Sequence, residues 1–108
     1  MHTDKIKVLV VEPGRSPDVR EISSSLHGMQ DVIGGYLQTI PLDKNNIIVC
    51  NAAGKADNLA ANMRIFIPNE VDEFIYGPFL VAGYDMRNQD FTSINEEGIQ
   101  KCKTIFKH

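Results

Sequence analysis

The sequence predicts one compact α+β domain: a mostly antiparallel sheet with two helices packed on one face. Three observations carry that expectation. The opening run Lys5 to Glu12 is apolar on both alternations, with Ile6, Val8 and Val10 on one side and Leu9 and Val11 on the other, as in a central strand. Counted from that strand, the elements come in the order β-β-α-β-β-…-β-α with short connections, which favours neighbouring antiparallel strands. Two segments carry helical periodicity together with capping residues.

Taken in order, Pro13, Gly14 and Pro17 impose a loop after the first strand, because proline fixes φ and glycine admits positive values. Val19 to Ile22 then forms a short strand, hairpin-paired with the first. Ser23, Ser24 and Ser25 offer N-cap oxygens to a helix from about Ser24 to Ile33. Its Leu26, Met29 and Ile33 recur on one face, and Gly34-Gly35 stops it. Tyr36 to Leu42 reads as a strand in which Pro41 marks an edge or an end. Asp43 to Asn46 is a turn, Ile47 to Cys50 a buried strand, and Asn51 to Lys55 another turn. Asn58 to Ile67 is compatible with a short helix or an extended segment, and Pro68 ends it either way. A loop holding Gly77-Pro78 precedes a strand at Phe79 to Gly83. Ser93, with Glu96 three residues later, marks a capping box for a last helix. That helix has an apolar stripe of Ile99, Cys102 and Phe106, widened by Ile105, and Lys101, Lys103 and Lys107 toward its C-terminus suit the helix dipole.

The 108 residues fit a single domain spanning 1–108, with residues 1–4 as a flexible tail. The 43% hydrophobic and 23% charged content is that of a globular chain. A net charge of -3 with scattered Lys and Arg argues against binding to extended nucleic acid. No apolar stretch nears the roughly 20 residues of a membrane span, and the apolar run after Met1-His2-Thr3-Asp4-Lys5 is too short for a signal-peptide core. Cys50 and Cys102 match no metal or redox spacing, so a reduced, cytoplasmic protein is expected.

Motifs for catalysis or cofactors are weak. Gly54-Lys55 fails as a phosphate loop, because position 49 is Val and position 56 is Ala. Gly28 to Gly35 lacks a dinucleotide fingerprint. His2, His27 and His108 form no metal pair, and neither cysteine has an activating neighbour in sequence. No cofactor, no metal and no catalytic residue is expected. The densest polar stretch is Asn51 to Arg64. Its Asn51, Lys55, Asn58, Asn62 and Arg64 combine amides with charge-assisted donors suited to carboxylate or phosphate, and Arg15 in the Pro-Gly loop could join them. Asparagine is also a turn-former, so a polar loop closed by its own backbone bonds is the other reading.

Three groups of residues together carry a family likeness. They are K-V-L-V-V-E-P-G at Lys7 to Gly14, Gly34-Gly35-Tyr36, and C-N-x-x-G-K at Cys50 to Lys55 with Asn62-x-Arg64. The G-x-F-x-V-x-G at Gly77 to Gly83 fits as well. The chain resembles a family of short proteins of bacteriophages, conjugative elements and their host bacteria that carries only a domain-of-unknown-function label. The resemblance implies a compact mobile-element protein and brings no established activity. The expectation is a non-catalytic binding protein that sequesters a small anionic ligand, such as a nucleotide or cyclic-nucleotide immune signal, to counter host defence. The alternatives are a protein–protein inhibitor of a defence enzyme and an accessory protein of phage replication or conjugation. Self-association is compatible with each.

Overall fold

The computed structural model describes residues 5–106, so the expected tail at 1–4 and the residues Lys107 and His108 lie outside it. Among the described residues, eight strands and two helices follow in order: β1 (Lys5–Val11), β2 (Asp18–Ser23), α1 (Leu26–Ile33), β3 (Leu37–Pro41), β4 (Asn46–Asn51), β5 (Ala61–Ile67), β6 (Val71–Tyr76), β7 (Phe79–Asp85), β8 (Asp90–Thr92) and α2 (Glu96–Ile105). The main sheet runs β2-β1-β7-β4-β3, with β8 added to β7. Strands β5 and β6 form a separate two-stranded hairpin. Every described pairing is antiparallel, and the chain is α+β as its pattern predicts.

The sheet has two buried faces, because its central strands are apolar on both alternations. Ile6, Val8 and Val10 of β1 join Val49, Leu80 and Ala82 beneath Met29 and Ile33 of α1. Leu9 and Val11 join Ile48, Phe79 and Val81 on the other side, beneath Ile99 and Cys102 of α2, its C-cap Phe106, and Ile65 and Ile75 of the hairpin. The two helices therefore lie on opposite faces, which corrects the expectation that they share one. A strand apolar on both sides needs a covering layer on each.

Local corrections have equally local causes. Helix α1 begins at Leu26 behind an N-cap at Ser25, whose hydroxyl accepts from Gly28 N at 3.1 Å. Leu26 itself is exposed, so the buried face is carried by Met29 and Ile33. Gly34 closes the helix at φ 83°, the left-handed conformation that glycine adopts without strain. The cap of α2 is Asn95, which accepts from Gly98 N at 2.8 Å. Ser93, the expected cap, instead accepts from Lys7 N at 2.9 Å while Ile94 N donates to Lys7 O. That contact ties the segment between β8 and α2 to the stretch of β1 that β7 leaves unpaired. Ile105 is exposed and does not widen the buried stripe. The Asn58 to Ile67 segment resolves into the end of a turn followed by β5, and β6 and β8 are strands the pattern did not reveal. No described helix is long and apolar enough to cross a membrane.

Candidate binding site

The turn after β4 is pinned to the hairpin by a glycine. A Cβ on Gly54 would lie 2.5 Å from the Tyr76 carbonyl oxygen, so this turn can sit against the end of β6 only without a side chain there. The close approach sets Lys55 at the mouth of a cleft of about 190 Å³ lined by Gln38, Cys50, Asn51, Glu73, Phe74 and Tyr76, among others. Lys55 has no ion-pair partner among the described residues. The cleft is smaller than the roughly 300–1,000 Å³ of most small-molecule sites, so it could grip part of a ligand without enclosing it.

The other residues of the expected cluster go elsewhere. Asn51 is buried. Its Oδ1 accepts from Ala53 N at 2.8 Å and its Nδ2 approaches Ile33 O at 3.4 Å, so it shapes the turn and meets the end of α1. Asn58 is exposed at φ 59°, a turn conformation that asparagine tolerates. Asn62 donates from Nδ2 to Val11 O at 3.0 Å and to Gly77 O at 2.9 Å, bridging the hairpin to β1 and to the turn between β6 and β7, while its buried Oδ1 has no partner among the described residues. Arg64 is fixed by Asp72 through two hydrogen bonds of 2.7 and 2.9 Å, and their pairing raises the arginine pKa and lowers that of the aspartate. Arg15 lines a separate, open hollow of about 420 Å³ beside Glu12, Asp18 and Arg20, where Arg20 is already paired with both acids. Of the six residues, Asn51 and Lys55 share a cleft; the structure does not gather all six around one cavity.

A second feature was not visible in the sequence. The β5–β6 register sets Arg64 opposite Phe74 and Phe66 opposite Asp72, so these four residues share one face of the hairpin. The opposite face sends Ile65 and Ile75 into the core. On the outward face Phe66 is 57% exposed and Phe74 is 52% exposed. The Arg64 guanidinium lies 4.8 Å from the Phe66 ring centroid, and the Phe74 and Tyr76 rings are 5.3 Å apart. A salt bridge and a cation–π contact thus hold an aromatic surface in a fixed arrangement facing solvent. The period-2 alternation of Arg64, Phe66, Asp72 and Phe74 could have revealed it once both strands were known.

Neither thiol is poised for nucleophilic attack. Burial pushes the pKa values of Cys50 and Cys102 up to about 11, and Glu73 adds to the shift at Cys50.

A family model described as a domain of unknown function (DUF3846) matches residues 6–107. No curated protein and no solved structure matches the chain.

Proposed function

The chain belongs to this family of unknown function, and on that premise we propose a non-catalytic binding protein that seats a partner protein on the outward face of its β5–β6 hairpin. The observation that carries this reading is the pair of half-exposed phenylalanines flanking an arginine already oriented by Asp72. Aromatic residues and arginine dominate the centres of protein interfaces, and a side chain held before binding loses less entropy on docking. The resemblance to phage and conjugative-element proteins supports a partner drawn from host defence, with inhibition by contact as the mode of action.

The test is capture from host lysate by the wild-type chain and by the Phe66→Ala/Phe74→Ala variant. Each ring buries about 1–1.5 kcal/mol of remaining apolar surface on docking, so the double variant should weaken capture by roughly 30-fold or more. Its stability should change little, because both rings stand about half in solvent and neither belongs to the buried core. Equal capture by the two proteins, or no partner for either, would refute the assignment.

A second reading rests on Lys55. An ammonium beside Tyr76, Gln38 and Asn51 suits the phosphate of a small anionic ligand of nucleotide type, with Glu73 available to accept from the N–H edge of a base. Melting-temperature shifts against nucleotides and cyclic dinucleotides, abolished by Lys55→Ala, would favour ligand sequestration over protein contact.

A further inference from the structure

The hairpin and the main sheet leave a slot between two unpaired strand edges. Among the described residues, strand β3 ends the main sheet and pairs only with β4, while β6 pairs only with β5. Ala52 N donates to Tyr36 O and Leu42 N donates to Asn46 O. By alternation, Gln38 and Ile40 also turn their backbone groups toward β4, leaving Leu37, Thr39 and Pro41 to turn theirs outward. The open edge of β3 therefore offers the N–H of Leu37 and Thr39 and the C=O of all three. Pro41 lacks an N–H and blunts one end.

Two hollows run along this slot, sharing Gln38, Ile40 and Glu73. The first is the Lys55 cleft. The second, of about 410 Å³, lies between Gln38 to Pro41 on one side and Glu70 to Glu73 on the other. Among the described residues its wall carries three carboxylates, Glu70, Asp72 and Glu73, and no lysine or arginine lines it. Arg64 occupies Asp72, whereas Glu70 and Glu73 have no ion-pair partner among the described residues.

We propose that this slot receives an extended, basic segment of a partner protein, which adds as a strand to the free edge of β3 with its lysines or arginines facing Glu70 and Glu73. Edge addition draws affinity from backbone hydrogen bonds and specificity from alternate side chains. The carboxylates select cations and repel acidic strands, other copies of this net-negative chain among them. The proposal rests on the protein-contact reading and extends it to an adjoining surface; the two meet at Phe74, which lines the Lys55 cleft, and are told apart at Phe66, which lines neither hollow.

The experiment uses the intact chain and synthetic peptides of strand length that alternate lysine with valine. A glutamate–valine counterpart and a version N-methylated at alternate residues serve as controls, with binding followed by fluorescence anisotropy. The basic peptide should bind, more weakly as salt rises. Its affinity should fall about tenfold or more on N-methylation and in Glu73→Lys, and the acidic peptide should not bind. Binding should also slow amide exchange at Leu37 and Thr39, a readout in the wild-type protein that no folding defect can imitate. Phe66→Ala should bind the peptide as wild type does, even if capture of the lysate partner is lost. Failure of the basic peptide to bind, equal binding of the N-methylated peptide, or unchanged exchange at Leu37 and Thr39 would overturn the proposal.

Discussion

Replacing Asn62 by aspartate changes one NH₂ group to oxygen at constant shape. In the native chain Nδ2 donates to two carbonyls, Val11 O at 3.0 Å and Gly77 O at 2.9 Å, while the buried Oδ1 has no partner among the described residues. Asn62→Asp removes both donors and turns a carboxylate oxygen toward two carbonyl oxygens. The two lost hydrogen bonds cost about 1 kcal/mol each, and an unpaired, partly buried charge adds more, for a total of about 3–5 kcal/mol near pH 7. For a domain of this size that lowers Tm by more than about 12 °C. The sign of the pH dependence follows from the surroundings. With no donor nearby, the folded carboxyl has a pKa above its unfolded value of about 3.9. The charge penalty is therefore absent below that value and grows as pH rises toward the folded pKa. Urea midpoints of the variant and wild type, measured side by side near pH 7 and near pH 4.5, should converge at the lower pH. A variant within about 0.5 kcal/mol of wild type at neutral pH, or a deficit independent of pH, would refute the bridging role and return Asn62 to the pool of ligand-facing residues.

Asp43 makes the same kind of argument with the opposite sign. Burial works against its charge, but hydrogen bonds from Lys101, Asn45 and Asn46 prevail and hold its pKa down to about 2. Its contribution is present above the unfolded value near 4 and is lost as pH falls through about 2, so acid titration of stability should be shallower in Asp43→Ala than in wild type. The same variant should lose about 2 kcal/mol at neutral pH by urea unfolding, since it removes the acceptor for the turn before β4 and for α2. Cys50 and Cys102, both buried with pKa values near 11, should resist a thiol-reactive disulfide near pH 8 in the folded protein and react fully in denaturant. Fast labelling of either under native conditions would contradict the packing.

What the sequence revealed follows the physical range of each signal. Strands β1, β4 and β7 were legible because continuous burial demands unbroken apolar runs, and β3 because Pro41 fits only an edge or an end. The interior stripe of α2 was legible in Ile99, Cys102 and Phe106, but its cap was not. Ser93 and Asn95 can both cap a helix, and the choice depends on Lys7 N, 86 residues away, which takes the serine hydroxyl. Strand β6 was hidden because Glu73 shares the inward alternation with Val71 and Ile75 and breaks the apolar pattern. The helices' opposite sides were implicit in β1 itself, where Leu9 and Val11 are as apolar as Val8 and Val10.

The dispersal of the Asn51 to Arg64 cluster has a single geometric origin. In a regular strand Asn62 and Arg64, two residues apart, would project on the same side and could converge on one anion. The β5–β6 register shifts between Ala61 and Met63, a bulge at Asn62. A bulge re-aims its side chain, and here the amide turns to Val11 O and Gly77 O while Arg64 stays on the outward face with Asp72. That division leaves Lys55 without its expected arginine partner and removes the convergence that made a phosphate attractive. The same register collects Phe66 and Phe74 around Arg64 on the exterior, and the hairpin brings Glu73 of β6 and Glu70 of its turn to the slot beside β3. Cations separated, with aromatic and acidic groups assembled, are what rank the proposed protein contact above the proposed anion site.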